Sequence, residues 1–386
     1  LASYQSKTFD QLAPEQLFVH PSAADFPGSP TAGATTVTKT VTINGNTSPD
    51  VYMNQGGRPT RFETGLYAAP GATVTITIPG NRTTDGLQAH ISPNGSQDTT
   101  FNITNWTFFP KLWRRVDLTQ ATTQTGHVFG GLITILVPPG KSLGNVNVTV
   151  SGAIEAPAFV LGQNTDAEWN TTLKNKPAPY GYIQNDKLTL YVPKTQLAAM
   201  NNPEAVTGFW KQVMDTADEY YGYTSYRKRG EAIATARYVA AGAAYASYPI
   251  EAGWGTGSDE MLEGARVNGH WGNYHELGHN YQDIFDGAFG IAIGAEVDVN
   301  LFPGMIYTLI HDRTGWDGAH STYDASNRLP RRTQYLALSA AEQTWQKAHD
   351  MAPVAYDFYF NLSEAFGWEA YKVAFTRLMR YLQSPS

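Results

Sequence analysis

The sequence of 386 residues contains no cysteine, which excludes a disulfide framework and any site in which thiolates bind a metal. It also lacks a run of lysine and arginine, and its net charge is -7 at pH 7. A protein that follows a phosphate backbone needs a basic surface, so we expect no nucleic-acid partner. A transition-metal site in this chain has to be built from histidine and carboxylate side chains.

Long apolar stretches are missing too. No apolar run reaches the length of roughly 18 residues that indicates a transmembrane helix, so we expect no transmembrane segment. Residues 1–4 lack the basic and apolar regions of a signal peptide, and we expect a chain that is already processed.

Asn-X-Ser/Thr sequons are frequent, and they begin at Asn46, Asn81, Asn94, Asn102, Asn105, Asn147, Asn170 and Asn361. They favour a secreted, extracellular protein, although a threonine-rich β-protein also creates sequons by chance. We expect this extracellular protein to be a monomer.

The length exceeds that of a usual single core, so two domains are expected. In the first part, Val, Ile and Thr alternate or cluster between turns rich in Gly, Pro and Asn, most clearly in residues 36–43, 72–78, 132–137 and 146–150. This pattern predicts an N-terminal β-sandwich, an accessory domain over residues 1–165.

From residue 193 onward the apolar spacing changes. Residues 196–220, 269–310 and 340–382 have helical spacing, while residues 234–248 fit a pair of strands. The sequence therefore predicts an α+β multidomain fold in which a mainly helical domain occupies residues 166–386.

The segment His275-Glu276-Leu277-Gly278-His279 places two imidazoles four residues apart, on one face of a helix, where both reach the same ion. Zinc accepts imidazole nitrogen, and a catalytic zinc site has three protein ligands. Glu276 points away from such an ion and is suited to act as the general base on the attacking water. The motif predicts a zinc-dependent endopeptidase with one Zn²⁺ per chain.

The third ligand has to be acidic, and the next candidates along the chain are Asp283, Asp286, Glu296 and Asp298. Asp283 is expected to point along the motif helix, and Asp286 lies where that helix is expected to end. Glu296 lies in a second helical run, residues 291–302, which is able to pack against the first. We therefore predict Glu296 as the ligand, with Asn300 one turn later hydrogen-bonding another ligand.

These residues resemble those of the enhancin-like, mucin-degrading zinc peptidases. The resemblance rests on Trp271-Gly272, the motif with Asn280-Tyr281-Gln282, and Glu296-Val297. It extends over about residues 64–368 through Thr64-Gly65-Leu66-Tyr67, Gly130-Gly131-Leu132-Ile133, Tyr248-Pro249-Ile250 and Phe366-Gly367-Trp368.

The resemblance implies a gluzincin-type metallopeptidase domain in which His275, His279 and Glu296 bind zinc and Glu276 is the catalytic base. It also implies mucin-like, O-glycosylated proteins as substrates.

The family usually continues after the ligand glutamate with Val-Thr-Asn-Asn, whereas this chain has Val297, Asp298, Val299 and Asn300 and so departs at Asp298 and Val299. Asp298 and Asn300 are expected to contribute to the substrate pocket. Trp271 and Tyr274 flank the motif, either as an aromatic platform for substrate or as core. Two alternatives stay open: a zinc peptidase that reads only peptide, and an inactive glycoprotein-binding module.

Overall fold

The computed structural model describes residues 9, 11–50, 56–92, 95, 112–237, 239, 242–253, 261–289, 295–313, 325–351 and 353–383. The chain divides into two compact units. The first comprises Leu1–Asp50, Gly57–Gly208 and Lys228–Leu262, and the second comprises Val51–Gly56, Phe209–Arg227 and Glu263–Ser386.

Eight antiparallel strands of the first unit form one sheet, in the order β5-β4-β7-β2-β8-β3-β6, with β1 also paired to β8. They are β1 (Val37–Asn46), β2 (Thr60–Ala68), β3 (Val74–Thr77), β4 (Gln88–Ser92), β5 (Arg114–Asp117), β6 (Thr122–Thr125), β7 (Gly131–Val137) and β8 (Ser142–Glu155). Alternate Val, Ile and Ala side chains of these strands form one buried core, which includes Ile76, Ile135 and Val148.

The predicted β-sandwich is wrong, because these strands form a single barrel-like sheet. β8 is 14 residues long and pairs with β1 and β3, and its end then pairs with β2, where Ile154 faces Tyr67. The single strand β8 thus joins the two sheets that a β-sandwich would keep separate. Alternation identifies the inward face of each strand, but it carries no information on which strands become neighbours.

A second sheet of the first unit has six strands, in the order β13-β14-β12-β11-β10-β9. They are β9 (Ala158–Val160), β10 (Tyr180–Gln184), β11 (Leu188–Pro193), β12 (Glu231–Ala236), β13 (Ala244–Tyr245) and β14 (Ile250–Gly253). The β9/β10, β11/β12 and β12/β14 pairs are parallel, and the other two pairs are antiparallel.

The prediction of a mainly helical domain over residues 166–386 is therefore also wrong, because five strands of this mixed sheet lie within that range. The physical reason is burial on both faces, which removes the alternation by which a strand is recognised in a sequence. All six residues of β12, for example, are buried.

The described helices are α1 (Asp166–Thr171), α2 (Lys194–Ala199), α3 (Pro203–Tyr220), α4 (Glu263–Asn268), α5 (Trp271–Phe289), α6 (Ala295–Asp298), α7 (Leu301–Leu309), α8 (Ala325–Leu336), α9 (Trp345–Asp350), α10 (Pro353–Phe366) and α11 (Trp368–Leu382). Short 3-10 helices occur at Pro14–Gln16, Pro21–Ala24, Gly80–Arg82 and Leu173–Asn175. Within the described ranges, none of the helices has both the length and the apolar character that crossing a membrane requires.

Two helix boundaries differ from the sequence prediction. The motif helix α5 runs through Asp286 to Phe289 instead of ending near residue 286. The predicted helix over residues 291–302 is divided into α6 and α7, and residues 290–294 lie outside the described part of the chain.

Candidate metal centre

The motif residues occupy two faces of α5. Tyr274, Leu277 and Tyr281 are fully buried, whereas the side chains of His275 and His279 are 18% and 15% exposed. At the start of the helix, the backbone N–H of Asn273 donates to the His270 ring. The helical period therefore directs three large side chains into the core and both motif histidines to the accessible face.

The structure brings together the three side chains that the sequence analysis selected as ligands. The Nε2 atoms of His275 and His279 lie 3.1 Å apart. The Glu296 carboxylate lies 3.1 Å from Nε2 of His275 and 3.6 Å from Nε2 of His279. One ligand atom from each residue fits within 4.8 Å of the others, so a single ion is able to contact all three.

Two amide side chains fix the orientation of the histidine rings. Asn300 donates its Nδ2 to the backbone carbonyl of Glu296, so its Oδ1 faces Nδ1 of His275 at 2.8 Å. Gln282 donates its Nε2 to the carboxylate of Asp298, so its Oε1 faces Nδ1 of His279 at 2.8 Å. Each Nδ1 therefore carries the proton, and in a neutral ring each Nε2 then presents a lone pair.

The consequence is that two unprotonated nitrogens and a carboxylate converge. Such groups repel one another unless a cation lies among them. Protonating both rings does not relieve this, because two N–H groups would then face each other across 3.1 Å. Two imidazoles with one carboxylate suit zinc better than calcium or magnesium, which prefer shells of oxygen. The residues present thus fit a zinc ion.

The charges at this centre have clear physical causes. Before a cation binds, hydrogen bonds that Glu296 accepts from the two imidazole rings lower its pKa well below the ordinary value and outweigh partial burial, so Glu296 is ionised at neutral pH. Burial lowers the pKa of His279, but its hydrogen bonds with Glu296 and Gln282 outweigh burial and raise the pKa. The negative charges of Glu296 and Glu276 raise it further. The charge of Glu276 acts on the His279 ring, so its carboxylate lies near that ring, and the residue is only 8% exposed.

A glycine in the motif allows Glu296 to approach the histidines. A Cβ atom at Gly278 would lie 2.5 Å from the backbone oxygen of Val299 and 3.1 Å from Cβ of Phe302. The backbone after α6 therefore packs directly on α5 at this point. Since Val299 lies three residues after Glu296, this close approach sets the distance between the carboxylate and the two imidazoles.

The motif helix is also held by a buried ion pair that sequence reasoning missed. The carboxylate of Asp218 accepts hydrogen bonds from the Arg227 guanidinium at 2.6 and 2.8 Å and from the Tyr281 hydroxyl at 2.6 Å. The Asp218 side chain is 0% exposed and that of Arg227 is 7% exposed. Tyr281 lies two residues after His279, so this pair anchors α5 directly behind the histidines.

The four predicted substrate residues are in different environments. Trp271 is half-buried and stacks on Tyr307, with ring centroids 6.2 Å apart. Tyr274 is fully buried, and its hydroxyl lies 2.9 Å from Nε2 of His311. Asp298 and Asn300 are buried, and both are hydrogen-bonded around the ligand histidines.

Two residues that position the ligands were not selected from the sequence. Gln282 lies three residues after His279, a spacing that places both on one helical face and was available as a signal. Tyr356 donates its hydroxyl to the backbone carbonyl of Glu296 and accepts a hydrogen bond from Asn300 at 3.1 Å. Tyr356 lies 60 residues beyond Glu296, so no local sequence pattern indicated that the two residues would be in contact.

Comparison with known families agrees with this geometry. The family model described as peptidase M60, enhancin and enhancin-like, matches residues 152–385. The model of the N-terminal domain of M60-like peptidases matches residues 32–151. This chain belongs to the peptidase M60 family. The resemblance inferred from the sequence motifs is therefore confirmed.

Curated proteins that are similar in sequence to this M60 chain include TRPM8 channel-associated factors. Mouse TRPM8 channel-associated factor 2 is 27% identical over 347 residues, which cover 90% of this chain and 36% of that protein. The human factor 2 is 27% identical over 359 residues, which cover 87% of this chain and 35% of that protein. The M60 chain thus spans about a third of the length of these relatives.

Solved structures share the M60 fold. The IMPa metallopeptidase in complex with T-antigen has a TM-score of 0.66 and 16% identity, with 96% of this chain and 46% of that chain covered. The M60 catalytic domain of Clostridium perfringens ZmpC, in complex with the sialyl T antigen, has a TM-score of 0.54 and 15% identity, with 88% and 79% covered. At this level of identity the likeness concerns the fold.

Proposed function

We propose that this M60 chain is a secreted zinc-dependent endopeptidase that hydrolyses peptide bonds in mucin-like, O-glycosylated proteins. His275, His279 and Glu296 would hold one zinc ion, and Glu276 would act as general base. The observation that carries the proposal is the convergence of two Nε2 lone pairs and one carboxylate, with both imidazole rings held in place by the buried amides of Asn300 and Gln282. In this assignment residues 166–386 carry the catalytic site and residues 1–165 are accessory.

The chemistry that zinc supplies when bound is Lewis acidity, which polarises a carbonyl and makes water more acidic. The chain itself orients the reaction. Asn300 and Gln282 keep the Nδ1 protons in place, so both imidazoles remain neutral ligands. Glu276 would take a proton from the attacking water and transfer it to the leaving amine, a role typically worth about 10²–10⁴-fold in rate.

The proposed substrate class rests on the structural neighbours. One is IMPa from Pseudomonas aeruginosa in complex with an O-glycopeptide, with a TM-score of 0.63. Trp271 is half-buried beside the motif and has ring surface left for contact with a sugar or a side chain. Four sequon asparagines, Asn46, Asn81, Asn147 and Asn361, are exposed, which supports secretion through a glycosylating pathway.

The proposal is tested by digesting a mucin-type glycoprotein and sequencing the new N-termini. A synthetic O-glycopeptide and its unglycosylated version are then compared. We expect cleavage beside glycosylated Ser or Thr and little cleavage of the bare peptide. Equal cleavage of both peptides would favour a peptidase that reads only peptide, and binding of mucin without any turnover would favour a glycoprotein-binding module.

Two variants separate metal binding from catalysis. His279→Ala removes a ligand and should abolish stoichiometric zinc, measured by elemental analysis. Glu276→Gln preserves shape but accepts no proton at neutral pH, so zinc should remain while turnover falls by about 10²-fold or more. Near-normal hydrolysis by Glu276→Gln would contradict the general-base assignment, and full zinc occupancy in His279→Ala would contradict the ligand set.

A further inference from the structure

A cleft opens in the first unit where β1 and β2 separate. Both strands meet β8 at neighbouring residues, since Val37 pairs with Ala153 and Tyr67 pairs with Ile154. From there β1 follows β8 while β2 follows β7, and within the described strands no backbone pairing joins β1 to β2. The resulting cleft has a volume of about 800 Å³ and is lined by residues of the first unit, whereas the motif belongs to the second.

The cleft runs along strand edges. Its lining includes the unbroken runs 41–44 of β1 and 60–65 of β2. Successive side chains of a strand point to opposite faces, so a cavity on one face contacts every second residue. A cavity beside the edge of a strand instead contacts consecutive residues. The cleft therefore lies beside the edges of β1 and β2.

These edges present backbone groups that no described strand pairs with. Among the described strands β1 pairs only with β8, so every second residue of β1 directs its N–H and C=O groups away from β8. Residues 60–63 of β2 pair with β7, and the opposite edge of this segment faces the cleft. A row of alternating donors and acceptors at strand spacing is complemented by another extended backbone. The four residues 60–63 correspond to a bound segment of about 13 Å.

The side chains of the cleft fit a peptide better than a sugar. A sugar ring binds best against an exposed aromatic face, but Tyr182, Tyr191 and Tyr248 in the lining are 5%, 0% and 3% exposed. Exposed lining residues include Lys39 and Asp186, which carry opposite charges. Mixed polar groups beside a free strand edge suit a polar polypeptide.

We propose that this cleft binds an extended segment of a second polypeptide, which adds as a β-strand to the edge of β1 that no described strand occupies. The bound segment lies between β1 and β2 and pairs its backbone with the edge that β8 leaves open. This activity is separate from hydrolysis, and it is measured in the 386-residue chain carrying Glu276→Gln so that turnover of the probe does not interfere.

The absence of cysteine allows a site-specific test. Thr42→Cys places a single thiol on an exposed lining residue, and Thr122→Cys places one on an exposed residue of β6 outside the cleft. Each variant is labelled with an environment-sensitive fluorophore and titrated with overlapping synthetic peptides of the β-casein sequence, which is unfolded and carries no glycan. We expect saturable emission changes from the Thr42 label and none from the Thr122 label.

A bound peptide is then N-methylated at alternate backbone nitrogens in two registers. Strand addition predicts that one register weakens binding by about tenfold or more, because it removes several hydrogen bonds, while the other is tolerated. The same comparison by calorimetry on the chain without introduced cysteine guards against a folding defect in Thr42→Cys. Absence of binding by the whole peptide set, equal tolerance of both registers, or displacement of label signal by an O-glycan disaccharide alone would overturn the proposal.

Discussion

Gly278→Ala adds one methyl group to the centre of the motif helix and tests whether close packing holds Glu296 in place. The new Cβ atom would lie 2.5 Å from the backbone oxygen of Val299 and 2.9 Å from its Cγ2 atom. Since ordinary contact begins near 3.4 Å, the backbone at Val299 has to move by about 0.9 Å. Metal sites tolerate deviations of only about 0.2 Å in ligand distance, so this movement should separate Glu296 from the two imidazoles.

The expected magnitude follows from two opposed effects. Alanine favours a helix interior over glycine by about 1 kcal/mol, whereas overpacking a core typically costs about 1–3 kcal/mol. We therefore expect a net loss of up to about 2 kcal/mol in the free energy of unfolding. Zinc affinity should fall by about 10–100-fold, as for changes in residues that orient metal ligands.

A matched control is available in α3. Gly208 also lies within a helix, and a Cβ atom there would have no atom within 4 Å. Gly208→Ala should raise the free energy of unfolding by about 1 kcal/mol or less and leave zinc binding unchanged. Zinc affinity is measured by competition with a chromophoric chelator, and stability by urea denaturation. The reasoning is refuted if Gly278→Ala binds zinc like the parent chain and is as stable as Gly208→Ala.

Two further predictions concern the support of the motif helix. Asp218→Asn removes one partner of the buried pair with Arg227 and should lower the free energy of unfolding by about 3–5 kcal/mol in chemical denaturation. Asp215→Asn is its control, because the Asp215 side chain is 45% exposed and its loss should cost about 1 kcal/mol or less. A similar effect of both substitutions would contradict the anchoring role. Gln282→Leu leaves Nδ1 of His279 without its acceptor, so chelator competition should show about 10–100-fold weaker zinc binding, and an unchanged affinity would contradict the tautomer assignment.

Much of the candidate site was predictable because it is local. His275 and His279 are four residues apart, and a helix alone directs both to one face. Glu296 was selected because a second helical run was expected nearby, and the structure brings its carboxylate to the histidines through a segment divided into α6 and α7. Their chemical roles remain predictions until the variants are measured.

The fold was less predictable because it depends on pairing between distant segments. Alternation along residues 36–43 and 146–150 indicated strands, and the structure has longer strands there, Val37–Asn46 and Ser142–Glu155. It did not indicate that β8 would join β1, β2 and β3 into a barrel-like sheet. The parallel strands of the second sheet, such as β12, lack alternation because both faces are buried.

The sequence by itself determined the ligand types, their helical spacing and the family. The absence of cysteine left histidine and carboxylate as the candidate ligands, and the period of a helix places the two motif histidines on one face. Only the tertiary structure decided which distant groups support them, namely Asp218 behind Tyr281 and Tyr356 on the carbonyl of Glu296. It also decided that β2 leaves β8 to follow β7, so that one edge of β1 and one edge of β2 have no partner among the described strands. The physical reason is that helical period acts within a few residues, whereas buried hydrogen bonds and strand pairing form between segments that only the folded core brings together.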